Sequence, residues 1–239
     1  MTNIIDWIKS KYKNNIINKI IIINVAIFIL TSFLGLGFLA VSMNPTEVMT
    51  HPWTLVTHMF AHSGLMHILF NMVTLYFAGN MFLSYFSNKQ FLGLYFIGSM
   101  LSSILTIIIW NLFGLGCGIA VGASAAIMAI LIAVCVYKPN ETVHLMFLGA
   151  VKLKYIAIVL VAIDLISMPE SNTGGHIAHL TGALFGVIFA LAMKNKKVVN
   201  GHGNSGKGYS VDKILDKISK KGLNKLTDDE RTFLKNYYK

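Results

Sequence analysis

Six long apolar runs divide the chain, at about 19–43, 64–86, 90–113, 122–138, 152–168 and 175–193. Each approaches the roughly 20 residues a helix needs to cross a hydrocarbon core, the fourth and fifth being short. None alternates polar and apolar positions as a barrel strand does. Backbone groups in hydrocarbon must be satisfied within their own segment, so the runs predict helices. The pattern therefore predicts an all-α, polytopic membrane protein built as a six-transmembrane-helix bundle. The first run is too long, and lacks the small-residue cleavage site, for a removable signal peptide. After the sixth run, a polar stretch at 195–210 with repeated Gly and Asn predicts a flexible linker. Residues 211–239 predict a small cytoplasmic helical hairpin: Ile214, Leu215 and Ile218 share a face, Gly222 is a stop, and Thr227 with Glu230 forms a capping box for a second helix. The expected organisation is a cytoplasmic segment 1–18, a membrane domain 19–194, a linker 195–210 and the hairpin 211–239.

Composition agrees with lipid as the solvent. Apolar residues make up 55% of the 239 and charged residues only 13%, too few to cover a soluble domain. Two cysteines without ordered spacing exclude a disulfide scaffold and a zinc ribbon. The net charge of +10 suggests nucleic acid until its placement is read. Of the 20 Lys and Arg residues, four precede the first run, one separates the second from the third, three flank the fourth and fifth, and twelve follow the sixth. The other connections carry none. This is the positive-inside pattern: an even number of spans, both termini cytoplasmic, and no nucleic-acid partner.

Polar groups inside spans are costly and functional by default. The second run carries His67 and Asn71 four apart, on one helix face. The fourth opens on Gly122-Ala-Ser124-Ala, and the sixth on Gly175-His-Ile-Ala-His179-Leu-Thr-Gly182. With the N-terminus inside, runs two, four and six all start on the outer side, which places His67, Ser124 and His179 at similar depth, on the order of 5–10 Å in. A serine with a nearby histidine base suits nucleophilic acyl transfer. The His67 ring, the Asn71 amide and the Ser124 backbone N–H can serve as oxyanion donors. Gly182 and Gly186 form a small-xxx-small face, matched by Ala125, Ala129 and Ala133 on the fourth run. Glu47 and Glu170 fall in loops, and Asp164 in the fifth run is expected to lie away from both partners in depth, so the expectation is a Ser-His dyad. Each element has a bland reading: a serine bonded to its own helix, glycines that only pack, a histidine bridging helices. His176 reads as a bridge or as lining of a wet mouth. His58, His62 and His67 leave a metal-binding or transport reading open, without HExxH or internal repeats to carry it.

Taken together, these motifs resemble the rhomboid family of intramembrane serine proteases. His67-Ile-Leu-Phe-Asn71 is similar to its HxxxN, Gly122-Ala-Ser124-Ala to its GxSx, and Ala178-His179-Leu-Thr-Gly182-Ala-Leu-Phe-Gly186 to its AHxxGxxxG, in the family's order over about 19–193. The resemblance implies Ser124 as nucleophile, His179 as general base, and His67, Asn71 and Ser124 as the oxyanion hole. Gly122, Gly182 and Gly186 take structural roles. It implies hydrolysis of peptide bonds in or near transmembrane segments, with membrane-protein substrates, no cofactor and no metal. It also implies a bacterial type in the inner membrane, active site outward, with the fifth helix gating lateral entry. Three positions depart from the family's usual pattern: Ala125 for Gly, Thr54 for Arg, and Met128 for an aromatic that stacks on the base. Those at Ala125 and Met128 motivate an alternative, a non-catalytic membrane chaperone or sorting factor on the same fold.

Overall fold

The computed structural model describes residues 16–35, 37–145, 149–168, 172–202 and 211–237. The expected segment up to residue 15, the linker residues 203–210 and Glu170 lie outside the described residues. Helix α1 (Ile16–Leu34) ends nine residues before the first apolar run does. Gly35 terminates it with φ +84°, its N–H reaching the Thr31 carbonyl at 2.8 Å. Beyond the turn, Ala40, Val41 and Met43 remain buried although they are not helical. Hydropathy alone reads that apolar loop as more helix, so the expected end at 43 is corrected to Leu34.

Strand β1 (Val41–Ser42) pairs antiparallel with β2 (Ile119–Ala120), Val41 opposite Ala120. This two-residue ladder ties the loop after α1 to the segment that enters the fourth span. Between them the loop folds into α2 (Pro45–Thr50), capped by Asn44 with Pro45 at its start, then α3 (Thr54–Thr57) and a 3₁₀ turn His58–Phe60. The Trp53 indole N–H donates to the Phe38 carbonyl at 3.1 Å and anchors the loop.

Helix α4 (Leu65–Leu83) is the second span. The third comprises α5 (Asn88–Gly93), a π-turn Leu94–Gly98 and α6 (Ser99–Leu112). A Ser87/Gln90 capping box opens it. Helix α7 (Ser124–Tyr137) has 14 residues, about 21 Å long, and cannot cross a hydrocarbon core of about 30 Å by itself. It has no need to, because it is the central helix: ten of its residues, among them Ala126, Ala129, Ile130 and Ala133, are buried. Its start therefore lies within the bundle and opens into a cavity. An unanticipated hairpin, β3 (Thr142–Leu145) and β4 (Gly149–Lys152), leads into α8 (Leu153–Ser167), and α9 (Thr173–His202) follows. Among the described residues, four segments can span a membrane by length and composition: Ile16–Leu34, Leu65–Leu83, Asn88–Leu112 and Thr173–Asn195.

Two kinds of contact hold the helices together. An apolar and aromatic cluster fills the end away from the cavity, with Phe86 ring centroids 4.6 Å from Phe82, 4.7 Å from Tyr137 and 5.1 Å from Phe189. Nearer the cavity, hydroxyls bridge α6 and α9: Thr106 and Thr181 Oγ1 lie 3.0 Å apart, and Thr181 also donates to the Ser102 carbonyl at 3.2 Å. Outward-facing side chains such as Phe33 (84% exposed), Phe70 (68%) and Ile166 (74%) suit lipid and would be costly in water.

Helices α7 and α9 approach each other backbone to backbone. A Cβ at Gly182 would run into the Ala125 carbonyl oxygen, and one at Gly186 into that of Ala129. Backbone rather than flexible side chain stands in the way, so the helices must part. Gly182→Val is expected to cost about 3 kcal/mol or more and to lower the thermal unfolding midpoint in detergent clearly. A midpoint like that of the parent chain would show that the helices do not meet there.

The chain divides into two compact units, Met1–Asn195 and Lys196–Lys239. In the second, α10 (Val211–Lys221) and α11 (Asp228–Tyr237) are joined by Lys217 Nζ to Glu230 at 2.7 Å. Glu230 Oε2 also accepts from the Thr227 N–H at 2.8 Å, and Thr227 Oγ1 from the Glu230 N–H at 3.3 Å. The capping box expected from Thr227 and Glu230 is thus present. Lys217 and the cap hold the Glu230 carboxyl below its ordinary pKa.

Candidate active site

The loop before α7 is shaped by Gly122, whose φ of +113° is open to glycine and strained for other residues. Its N–H donates to the His58 carbonyl at 2.8 Å. A Cβ there would sit 2.7 Å from His67 Nε2. The missing side chain therefore lets the His67 ring of α4 lie directly against the backbone that carries Ser124.

Ser124 is the first residue of α7, and no side chain caps that end. The first turn's N–H groups thus have no partner within the helix and supply partial positive charge beside the hydroxyl. His67 Nδ1 accepts from the Ser63 N–H at 3.4 Å and lies 3.0 Å from the Ser63 hydroxyl. A backbone donor on Nδ1 fixes the other tautomer, so Nε2 carries the proton and points at the Gly122 backbone. Asn71, one turn on, donates one amide N–H to the His67 carbonyl at 2.8 Å. Its second amide hydrogen remains available, and the residue is buried on the cavity wall.

On the opposite side stands α9. Because Gly182 meets the Ala125 carbonyl, His179, nearly a turn earlier on α9, is held near the start of α7. Its Nδ1 lies 2.9 Å from Asp164 Oδ1, and His176 Nδ1 lies 2.8 Å from the same oxygen. An ionised carboxylate can only accept, so Nδ1 of His179 carries the proton and Nε2 is left as a basic lone pair. Ser124, His179, His67 and Asn71 all line one cavity of about 730 Å³, together with Gly122 and Ser63. Met128, which departs from the aromatic usual at that position, is on the same wall.

Asp164 overturns the expectation that it lies away from both partners. Helix α8 ends at Ser167, so Asp164 is less than one turn from its C-terminal end. His176 and His179 sit one and two turns after the start of α9 at Thr173, whose hydroxyl donates to the Met168 carbonyl at the end of α8 at 2.9 Å. Two antiparallel helices joined this closely bring those positions level. The run boundaries carry this signal, because the end of the fifth run and the start of the sixth fall on one side of the bundle. Ser63 carried no sequence signal, because only the fold turns it back onto its histidine.

The alternative set of His58, His62 and His67 does not form a metal centre. His58 Nδ1 meets the Thr54 carbonyl and Nε2 the Ser103 hydroxyl, both at 3.0 Å, so its ring is fully engaged inside the protein. His62 packs edge-on to His67 with centroids 5.1 Å apart.

Residues 49–196 match the Rhomboid domain family, and 207–239 match a family of unknown function, DUF6576. The chain is 31% identical over 136 residues to "Presenilin-associated rhomboid-like protein A, mitochondrial" of Danio rerio, covering 56% of this chain and 35% of that protein. It is 26% identical over 201 residues to "RHOMBOID-like protein 12, mitochondrial" of Arabidopsis thaliana, covering 76% and 59% respectively. With "Presenilin-associated rhomboid-like protein, mitochondrial" of Homo sapiens it shares 30% over 154 residues, covering 60% and 38%. The chain thus spans between about a third and three fifths of the length of these relatives.

Proposed function

Since the chain belongs to the rhomboid family, we propose that it is an intramembrane serine endopeptidase that hydrolyses peptide bonds in or near the transmembrane segments of membrane proteins. The observation that carries this reading is one cavity holding Ser124 at a helix start and His179 with its Nδ1 bound to Asp164.

In this reading the Ser124 hydroxyl gives its proton to His179 Nε2 as the oxygen attacks the scissile carbonyl carbon. The tetrahedral oxyanion is met by His67 Nε2–H, the Asn71 amide and the Ser124 backbone N–H. As the carbon–nitrogen bond breaks, His179 returns the proton to the leaving amine. Water then repeats the cycle on the acyl-enzyme, with His179 again as base. Asp164 touches no reacting atom; it acts through His179, holding the tautomer that leaves Nε2 bare and steadying the imidazolium. The Ser-His pair is therefore read as backed by a carboxylate, in place of an aromatic stacked on the base. Asp164 sits on α8, the helix assigned to lateral entry, so substrate access and orientation of the base share one element.

The cavity is assigned to the outer side, opposite the basic loops. The relatives named above are mitochondrial by name, so the bacterial inner membrane expected from the sequence finds no support in them. The reading retains a membrane location and this sidedness.

The test is active-site labelling. Purified chain in detergent should react with a fluorophosphonate, and peptide mass spectrometry should place the adduct on Ser124. Cleavage of at least one single-pass substrate should accompany it. Folded protein that binds substrate but carries no adduct would overturn the protease reading in favour of the chaperone alternative. Gly122→Ala bears on the oxyanion side: the new methyl displaces the His67 ring, and cleavage by the folded fraction is expected to fall about 10²-fold. Unchanged turnover would remove His67 from the oxyanion hole.

A further inference from the structure

His176 has no part in the hydrolysis outlined above, yet it is placed with care. Its Nδ1 lies 2.8 Å from Asp164 Oδ1, the oxygen that also holds His179 Nδ1 at 2.9 Å. The three ligand atoms lie within 4.8 Å of one another, and among the described residues this is the one such group of three His, Cys, Asp or Glu side chains. All three stand on helices, so packing rather than a loop sets their spacing. The side chains of His176 and His179 are 15% and 26% exposed and that of Asp164 is 6% exposed, so the imidazoles are reachable and the carboxylate lies behind them.

Two imidazoles and one carboxylate suit zinc-type cations, whereas magnesium and calcium favour all-oxygen sets. A water would complete a four-coordinate zinc. Ligand atoms on a common zinc at about 2.0–2.1 Å stand roughly 3.3 Å apart. The two contacts to Asp164 need to open by only about half an ångström. We infer that Asp164, His176 and His179 form an inhibitory site for a zinc-type divalent cation, whose occupation switches off the Ser124–His179 pair. The ion replaces two hydrogen bonds with bonds to both Nδ1 atoms and to Oδ1. Each neutral ring moves its proton from Nδ1 to Nε2, so none is released. With Nε2 protonated, His179 no longer accepts the Ser124 proton. This consequence rests on the protease reading; the binding of the ion does not.

The experiment therefore has two arms. In the first, zinc binding to the Ser124→Ala chain in detergent is measured by calorimetry, with magnesium for comparison. One zinc per chain is expected, bound at least tenfold more weakly when His176→Asn is added. Asparagine keeps an N–H for Asp164 but removes the imidazole. Metal-free thermal midpoints check both proteins, and Asp164→Asn serves if the first variant fails to fold. Absence of zinc binding, or binding that neither variant weakens, overturns the site. In the second arm, zinc should stop cleavage by the chain with Ser124 intact and a chelator should restore it. His176→Asn should raise the half-inhibitory zinc concentration at least tenfold and leave metal-free cleavage unchanged. Zinc that binds without slowing cleavage overturns the switch. Zinc binding in a chain that never cleaves would instead count against the protease reading and leave the site standing.

Discussion

Ser124→Ala is expected to abolish cleavage, with a loss of about 10⁴- to 10⁶-fold in kcat, while the chain folds and still captures substrate. The size follows from the site. Ser124 is half-buried at an uncapped helix start, lines the cavity with His179, and lies on the backbone that touches the His67 ring. Removing one oxygen leaves donors and base in place with nothing to carry the acyl group. Because serine and alanine differ so little in volume, and Ala125 and Ala126 already pack beside this position, the unfolding midpoint should not move. Cleavage rates on a panel of single-pass proteins, with fluorophosphonate labelling run in parallel, measure the effect. Cleavage that survives in the variant would remove Ser124 from the mechanism and the reading with it.

Asp164→Asn is the second large effect, about 10²- to 10⁴-fold in kcat with little change in KM. The substitution preserves shape and removes charge. An asparagine can turn its amide N–H toward His179 Nδ1, which then accepts and leaves the proton on Nε2, where a base needs a lone pair. Nothing in the cavity wall touched by substrate changes, so binding should persist. Labelling by fluorophosphonate should slow in step with cleavage, because both depend on removal of the Ser124 proton. A purely structural role would predict a lower unfolding midpoint and unchanged turnover in the folded fraction. That outcome would return the site to an unsupported Ser-His pair.

Several features were legible along the chain because they depend on short-range patterns. Apolar run length set the spans, and the expected second run at 64–86 differs from α4 by a few residues at its ends. The capping box at Thr227 was legible for the same reason, since its partners are three residues apart. The end of α1 was not, because apolar loop residues such as Val41 look like more helix until the β1–β2 pairing claims them. The β3–β4 hairpin was missed because such short strands leave no period to read.

The sequence by itself determined that this is a polytopic, mostly helical membrane protein, because lipid tolerates little else for long apolar segments. It also placed a serine, two histidines and an asparagine on helices that start from one side. Only the tertiary structure decided what stands behind the base. Whether Asp164 meets His179 depends on how the end of α8 meets the start of α9 and on how closely Gly182 lets α9 approach Ala125. Those are distances between segments remote in sequence, and no local pattern contains them. The Ser124–His179 pair thus comes from spacing and direction, whereas the carboxylate shared by His176 and His179 comes from packing.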